Sequence, residues 1–460
     1  MLTFNGTGGI TAGAIDMNLN AGVQTNLSVT SGSSSYHVTS DQRGCMVVTT
    51  PAGTQNYRFS LGNITSGVAS TGHVIGFDTT GPFTSGIMRK QTSSAFSTSQ
   101  VTGNFAFGVS SAQNTSCNGG TNCGGAFGAV GVFNFSSGSV TGGEVDFNSN
   151  AQLDGSSANT TWPASPVAIN SGGAYTVSGT NGRGTLSFTP NATNATTVNT
   201  VIYVVSSTEV LVLSSDPQAS NSAFAGELLK QSGTLSGTPL SGAYVGYQSG
   251  LSGTAGASRT TLLLLTASGN SITGNQLRND AGSFQSKAIG SGITYSATAQ
   301  GRVIIPASPG NNPPMFYLVN ANQAFFLNQG TSVETGFFQS QTGGPFTNSS
   351  ATGTYAFGEI DPQVANSSDD LGVATFTPAT TTISVIDDQN GSGGQNLGQS
   401  QSFTYSIDST GLGMIPSTGS SCTISATSTT CQTVIYIISP TKAVIMDTQS
   451  SNPKIQLGDK

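Results

Sequence analysis

The sequence predicts an all-β protein made of four tandem antiparallel β modules of about eight strands each. Three hairpins share one pattern, an apolar run with a central Tyr, a short turn and a second apolar run, at 201–213, 315–327 and 434–447. Elsewhere too, short runs of Val, Ile, Leu, Phe and Tyr alternate with Gly, Ser, Thr and Asn, which is typical of strands and turns. Such self-similarity indicates a chain of repeated structural units.

The repeats divide the chain into modules at 1–97, 98–236, 237–346 and 347–460, and we name their strands A to H in chain order. Strand A begins at Gly103, Gly242 and Gly353 in modules 2 to 4. Module 1 opens at Leu2 in the pattern of strand B and is therefore predicted to lack strand A. We expect either that a strand from elsewhere fills this slot or that the chain begins downstream of its natural start.

Strand B is a short apolar run, and strand C carries an Asp-x-Asn-x-Asn pattern at 16–20 and 146–150. Oxygen ligands on alternate residues resemble the start of a calcium loop. Asx residues that cap a β-turn explain the same letters. Calcium thus stays open as an alternative, and no other cofactor is predicted.

Strands D and E form a hairpin whose turn contains Gly, the residue that adopts positive φ without strain. The turn also carries an Arg in three modules, as Arg43, Arg183 and Arg302, and Leu412 takes the place in module 4. Because few residues here are charged, we expect these Arg side chains to bond carbonyls or a neighbouring module rather than a ligand.

Strands F and G form the hairpin that defines the repeat, and strand H closes each module. Tyr203, Tyr317 and Tyr436 occupy one equivalent position between aliphatic residues, so each is predicted to be substantially buried. Consecutive apolar positions imply that both strand faces are covered, one of them by the next module or by another subunit. The nearly constant spacer after strand H predicts a rod or a compact stack of modules.

Eight sequential strands with short turns favour an up-and-down barrel, because closure removes both exposed edges. An eight-stranded sandwich is the alternative.

The composition argues against two classes of partner, nucleic acids and membranes. Only 7% of residues are charged and the net charge is -7, so the chain has no basic footprint for nucleic acid or an anionic membrane. No apolar stretch approaches the roughly 18 residues of a membrane-spanning helix. The first residues also lack the pattern of a signal peptide.

Four of the cysteines are predicted to form two local disulfides, Cys117 with Cys123 and Cys422 with Cys431. Such pairs suit an oxidising compartment. Zinc is disfavoured because neither pair has a nearby His. Cys45 is left over, as a buried thiol or as the partner of a cysteine elsewhere.

Catalysis has little support in the residue types present. His37 and His73 are the only histidines, no carboxylate pair recurs between modules, and no Gly-x-Ser-x-Gly elbow lies on a strand-to-helix turn. Trp162 either packs its own loop or stacks on a sugar ring. The prediction is a protein that is not an enzyme, with a hydrolase of unrecognised site as the third hypothesis.

The Gly-x-Tyr-Ala-Phe, Gly-Arg-Gly, Ile-Tyr-Val-Val-Ser and Lys-Gln motifs resemble those of uncharacterised secreted or surface β-repeat proteins of environmental bacteria. The resemblance implies an extracellular or cell-surface location and supplies no active site. The leading hypothesis is a structural or adhesive repeat protein that associates with itself or with cell-surface or matrix components and assembles into a fibre or surface layer. A β-barrel protein that binds a glycan or small ligand is the alternative, and an open cavity with convergent polar groups would favour it.

Overall fold

The computed structural model describes residues 1–19, 22–79, 84–111, 127–149, 152–153, 165–192, 195–217, 223–251, 257–306, 313–329, 332–360, 368–391, 393–417, 419 and 421–460. Within them the only helical segments are single 3-10 turns at Ser93–Ala95 and Asn348–Ser350. Everything else regular is antiparallel strand. The predicted all-β barrel class is confirmed.

Module 1 contains eight strands in two sheets, β1-β2-β3 and β4-β5-β6-β7-β8. Their bounds are β1 (Leu2–Phe4), β2 (Ile10–Leu19), β3 (Gly22–Ser28), β4 (Ser35–Val38), β5 (Arg43–Thr50), β6 (Gly53–Thr65), β7 (Val68–Gly76) and β8 (Ser85–Arg89). A bridge between Gly9 and Ser35 joins the sheets on one side. These strands correspond to B through H, with D divided into β3 and β4, so strand A has no counterpart among the described residues of module 1.

Module 2 is a closed barrel of eight strands, in which each strand of the meander pairs with the next and β9 pairs with both β10 and β18. Its strands are β9 (Gly103–Ser111), β10 (Phe127–Ser136), β11 (Ser139–Ser149), β12 (Gln152–Leu153), β13 (Val167–Ala168), β14 (Gly173–Val177), β15 (Arg183–Phe188), β16 (Val198–Ser206), β17 (Glu209–Ser214) and β18 (Ala225–Lys230). The short strands β12 and β13 pair with β11 beside the main barrel.

Module 3 forms one sheet of nine strands. Their order across the sheet is β22-β21-β20-β19-β27-β26-β25-β24-β23. They are β19 (Gly242–Leu251), β20 (Ser258–Ser268), β21 (Ser271–Asp280), β22 (Ser283–Thr294), β23 (Ser296–Ala297), β24 (Arg302–Ile304), β25 (Met315–Asn320), β26 (Gln323–Leu327) and β27 (Val333–Ser340). Only Tyr295 separates the two edge strands, so the D segment of the chain itself joins the two edges.

Module 4 repeats this arrangement, with Tyr405 between its two edge strands. The strands are β28 (Gly353–Glu359), β29 (Asp369–Thr377), β30 (Thr382–Gly391), β31 (Gly394–Thr404), β32 (Ser406–Ile407), β33 (Leu412–Pro416), β34 (Cys431–Ser439), β35 (Lys442–Asp447) and β36 (Ile455–Asp459).

Sequence reasoning missed the first halves of the D segments, which form β3, β22 and β31. β31 is exposed along most of its length and rich in Gln, Ser and Gly. Side chains on both of its faces are exposed over most of its length, so neither face needs an apolar pattern. Without apolar alternation, strand and polar loop have the same sequence signature.

Each barrel interior is filled by its own side chains. Tyr244 and Phe338 stack across the module 3 core with ring centroids 4.4 Å apart, and comparable aromatic contacts join Phe107 to Phe133 in module 2 and Phe376 to Tyr405 in module 4. These barrels therefore have packed cores and no central channel among the described residues.

The D–E turns of modules 2 to 4 show why Gly stands before the Arg or Leu position. Gly182, Gly301 and Gly411 have φ of 67°, 82° and 85°. At Gly301 an added Cβ would lie 2.8 Å from the Nε2 atom of Gln231, the residue after strand H of the preceding module. The Gln231 amide donates to the carbonyl oxygens of Gln300 and Leu318 at 2.8 and 2.7 Å, which ties each spacer to the following module.

The modules close into a ring in which each contacts both neighbours. Strands β9 and β10 lie on β25 to β27, β19 and β20 lie on β34 to β36, β28 and β29 lie on β6 to β8, and β2 lies beside β17. One apolar cluster joins modules 2, 3 and 4, through residues such as Val130, Phe325, Tyr247 and Val444. Of the two expected arrangements, the compact one is present and the rod is not.

Candidate functional site

The Arg side chains for which the sequence predicts a structural role lie at the junctions between modules. Arg302 of module 3 bonds Asp146 of module 2 through Nε–Oδ2 and Nη2–Oδ1 contacts of 2.6 and 2.9 Å. Arg183 of module 2 bonds Asp16 of module 1 in the same way, at 2.9 and 2.6 Å. Arg43 of module 1 completes the set, since its Nη1 lies 2.8 Å from Oδ1 of Asp388 in module 4.

The fourth junction replaces the ion pair with an apolar pair. Leu412 stands at the Arg position of module 4, and Leu277 of module 3 stands at the Asp position of strand C. Leu277 belongs to the apolar cluster that joins the modules, and Leu412 packs against this cluster. The residue types at the two positions thus change together.

The environment of these acids explains their pKa values. Burial raises the pKa of Asp146 and outweighs the bonds from Arg302 and Tyr317. Burial also acts to raise the pKa of Asp16, but there the bonds from Arg183 and Tyr203 win and lower it. The side chain of Arg183 is 16% exposed and that of Arg302 is 5% exposed, so water reaches the Arg183–Asp16 junction more easily.

An Asn two residues after this strand C position, whether the position holds Asp or Leu277, adds a second contact at every junction. The Asn148 amide donates to the carbonyl oxygens of Asn328 and Ser332 at 3.1 and 3.0 Å. The amides of Asn18, Asn279 and Asn390 reach the equivalent carbonyls of the next module. The Asp-x-Asn pattern that resembled a calcium loop is therefore engaged in contacts between modules, and no group of His, Cys, Asp and Glu suited to a metal occurs in the described ranges.

The three repeated tyrosines lie on the outward face of strand F, at the junctions. Tyr317 and Tyr436 are buried, whereas Tyr203 is half-buried. The Tyr317 hydroxyl donates to Oδ2 of Asp146 at 2.8 Å, and the Tyr203 hydroxyl bonds Asp16. Each of these two tyrosines therefore binds the carboxylate that also holds the Arg.

A cavity of about 400 Å³ lies where modules 1, 2 and 4 meet. Its walls carry the charged residues Arg89, Lys90, Glu209, Lys442 and Asp459 among hydroxyl and amide groups. The Nε atom of Arg89 lies 3.1 Å from Oε1 of Glu209. Mixed charges of this kind suit a small polar ligand better than an apolar one.

Titratable groups around the cavity have shifted pKa values. Burial, with repulsion from Glu209, raises the pKa of Glu227 to about 7. Burial lowers the pKa of Lys442, and it lowers the pKa of His73 to about 4. His73 is therefore neutral at neutral pH and forms no ion pair with Asp459, 3.8 Å away.

A second group of acids lies inside module 4. Lys454 Nζ contacts Glu359 and Asp370 at 2.5 and 2.9 Å. Asp369 and Asp387 lie close enough to Asp370 to interact with its charge. Glu359 and Asp369 have 2% and 0% of their surface exposed, so a substrate has no access to them in this conformation. Sequence reasoning missed this group because its members lie on different strands.

Asp369 provides a test of this buried group. Burial raises its pKa from 3.8 to about 6, so the folded protein binds this proton more tightly than the unfolded chain. Its contribution to stability is full below pH 3.8 and is lost as the pH rises through 6. We expect Asp369→Asn to raise the free energy of unfolding by about 2–3 kcal/mol at neutral pH and to leave it unchanged in acid, measured by urea unfolding. An equal gain under both conditions would contradict this assignment.

The remaining predicted residues have plain locations. Cys422 and Cys431 form a disulfide, which indicates an oxidising environment. Cys45 is a half-buried free thiol on β5. His37 is exposed on β4. Three further predicted residues, Cys117, Cys123 and Trp162, lie outside the described residues.

Within the described parts of the chain, no helix combines the length and apolar character needed to span a bilayer.

No protein-family model matches the chain, and no curated protein matches it in sequence. Among solved structures, a mutant of the vaccine antigen transferrin binding protein B (TbpB) from Haemophilus parasuis Hp5 is 8% identical, with 87% of this chain and 84% of that chain covered and a TM-score of 0.18. Intact Ap-TbpB, with its N and C lobes, is 10% identical, with coverages of 87% and 86% and a TM-score of 0.20. TM-scores this low do not establish a shared fold, so nothing about TbpB is carried over.

Proposed function

We propose that the chain is a non-catalytic extracellular structural or adhesive protein, whose ring of β modules serves as a rigid building block. The observation that supports this most is the apolar cluster that continues through modules 2, 3 and 4. Filled barrels joined by such a cluster have little freedom to move relative to one another. The disulfide adds support for a location outside the cytoplasm.

Assembly is the test of this function. Protein isolated from the extracellular fraction is expected to form concentration-dependent rods, sheets or cell-bound layers, visible by negative-stain electron microscopy and measurable by sedimentation velocity. Single rings at every concentration tested, together with no retention on the producing cells, would contradict the proposal.

The cavity between modules 1, 2 and 4 favours one second candidate, the binding of a small polar ligand. Its convergent charges are what a binding site needs and a packed scaffold does not. Saturation-transfer NMR with neutral sugars, uronic acids and amino sugars tests it. Lys442→Ala should abolish any signal, while Lys287→Ala, which removes an exposed lysine of module 3, should not. No signal from any probe, or equal loss in both variants, would reject this candidate.

A further inference from the structure

The buried group of acids in module 4 surrounds an amine. Lys454 lies one residue before β36, Glu359 ends β28, and Asp370 is the second residue of β29. The Nζ atom of Lys454 lies 2.5 Å from Oε1 of Glu359 and 2.9 Å from Oδ2 of Asp370. It also donates to the main-chain oxygen and the hydroxyl of Ser368. These bonds hold one nucleophilic nitrogen against two carboxyl groups.

The contact with Asp370 is close enough for a covalent bond to form. A nitrogen that hydrogen-bonds a carboxyl oxygen lies within about 4 Å of the carboxyl carbon, close to the roughly 3–3.5 Å from which reacting atoms combine. Oδ2 of Asp370 bonds Lys454, whereas Oδ1 is buried and has no hydrogen-bond partner among the described residues. Oε1 of Glu359 also accepts the main-chain N–H of Asp370 at 3.0 Å. Asp370 is therefore the carboxyl group with an unbonded oxygen, and Glu359 is the one fixed beside the amine.

The two most deeply buried acids can carry protons. Glu359 is 2% exposed and Asp369 0%, and burial raises the pKa of both, that of Asp369 to about 6. No N–H or hydroxyl group of the described residues donates to Asp369, so Glu359 is the group with which it can share a proton. Burial acts to lower the pKa of Lys454, but the charges of Glu359 and Asp370 outweigh it and raise the value to about 12. The amine therefore reacts only after a proton has passed to a neighbouring acid.

A buried ion pair is the simplest alternative for this group, and it is a costly one. It keeps an ammonium and several carboxyl groups out of water, which burial penalises. Condensation of Lys454 with Asp370 replaces two of these charges by a neutral amide. In module 3, Thr261 and Glu334 hold the places of Asp370 and Lys454, counted along the paired strands A, B and H. There Thr261 Oγ1 donates to Glu334 Oε1 at 3.1 Å, so that place holds an ordinary hydrogen bond.

We propose that Lys454 and Asp370 form an intramolecular amide bond, with Glu359 as the proton relay. The ammonium of Lys454 first passes a proton to Glu359, and Nζ then attacks Cγ of Asp370. One Cγ–O bond breaks, and that oxygen leaves as water with the two protons that Nζ loses, while the nitrogen keeps its third. The reaction occurs between groups of the folded chain, so it needs no access from solvent. Well-oriented groups of this kind react at effective concentrations of about 10⁵ M or more.

The amide would fasten strand H of module 4 to strand B, across the strand A that lies between them. β28 pairs with β29 and with β36, but its ladder with β36 contains only four residue pairs. A covalent link at this border keeps the barrel closed when the hydrogen bonds open. The inference goes beyond the structural function, because a ring that never assembles would form the same bond. Finding the link in such rings would support this inference while counting against the structural function.

Mass spectrometry of the 460-residue chain tests the bond directly. After reduction of the disulfide, the intact mass should be lower than the sequence mass by one water. Proteolysis should then give a branched peptide that contains both Lys454 and Asp370, and its fragmentation identifies the linked carboxyl group. Linear peptides that carry both residues unmodified would overturn the proposal. A branch at Glu359 would overturn the assignment of Asp370.

Three variants test the roles of the residues. Lys454→Arg keeps the positive charge but removes the amine, so the mass deficit should disappear. Glu359→Gln keeps both reacting groups and should slow the appearance of linked chain after synthesis at least about tenfold; an unchanged rate would reject its role as relay. Lys287→Arg, at an exposed lysine of β22, should leave the deficit unchanged. If Lys454→Arg does not fold, the branched peptide of the parent chain still decides the matter.

Discussion

Asp146→Leu is expected to lower the free energy of unfolding by about 3–5 kcal/mol, because it leaves the guanidinium of Arg302 buried without its carboxylate. Arg302 is 4% exposed and Asp146 0%, so water cannot replace the lost partner. Urea unfolding followed by tyrosine fluorescence and circular dichroism measures the loss.

Another junction of the same protein shows which second substitution should restore the lost stability. The junction of modules 3 and 4 uses Leu277 and Leu412 at the same two positions, so the double variant Asp146→Leu with Arg302→Leu should recover to within about 1 kcal/mol of the parent. Asp41→Leu is a matched control, since Asp41 pairs with Arg43 but is 29% exposed, and it should cost under about 1 kcal/mol. A double variant no more stable than the single would show that the pair does not act through direct contact.

Tyr317→Ala is expected to cost about 3 kcal/mol, as for other buried aromatic side chains. Tyr317 is 0% exposed, and its removal opens a cavity at the junction of modules 2 and 3. It also removes a hydrogen bond to Asp146. Thermal and urea unfolding of the purified variant measure the change.

Tyr203→Ala is the matched control, because Tyr203 occupies the same strand position and also bonds a strand C carboxylate. Its half-buried ring should make its loss smaller than that of Tyr317. If the two substitutions cost the same, burial by the neighbouring module is not what stabilises Tyr317.

The sequence by itself determined the β class and most of the strands. Apolar alternation in the F–G hairpin and Gly in the D–E turn act between residues that are close along the chain, so their effects can be inferred locally. The expected structural role of Arg183 and Arg302 followed from the scarcity of charge. Polar strands such as β31 were not predicted, because they pair with a neighbouring strand without burying a face.

Only the tertiary structure decided which groups meet. Arg183 and Asp16 are 167 positions apart, and Arg302 and Asp146 are 156 apart. No local pattern marks them as partners. The same long-range packing decides three further features. It places Leu277 and Leu412 at one junction, brings module 4 against module 1, and forms the charged cavity. Local periodicity specifies which face of a strand is apolar, but the partner that covers this face is set by the docking of whole modules.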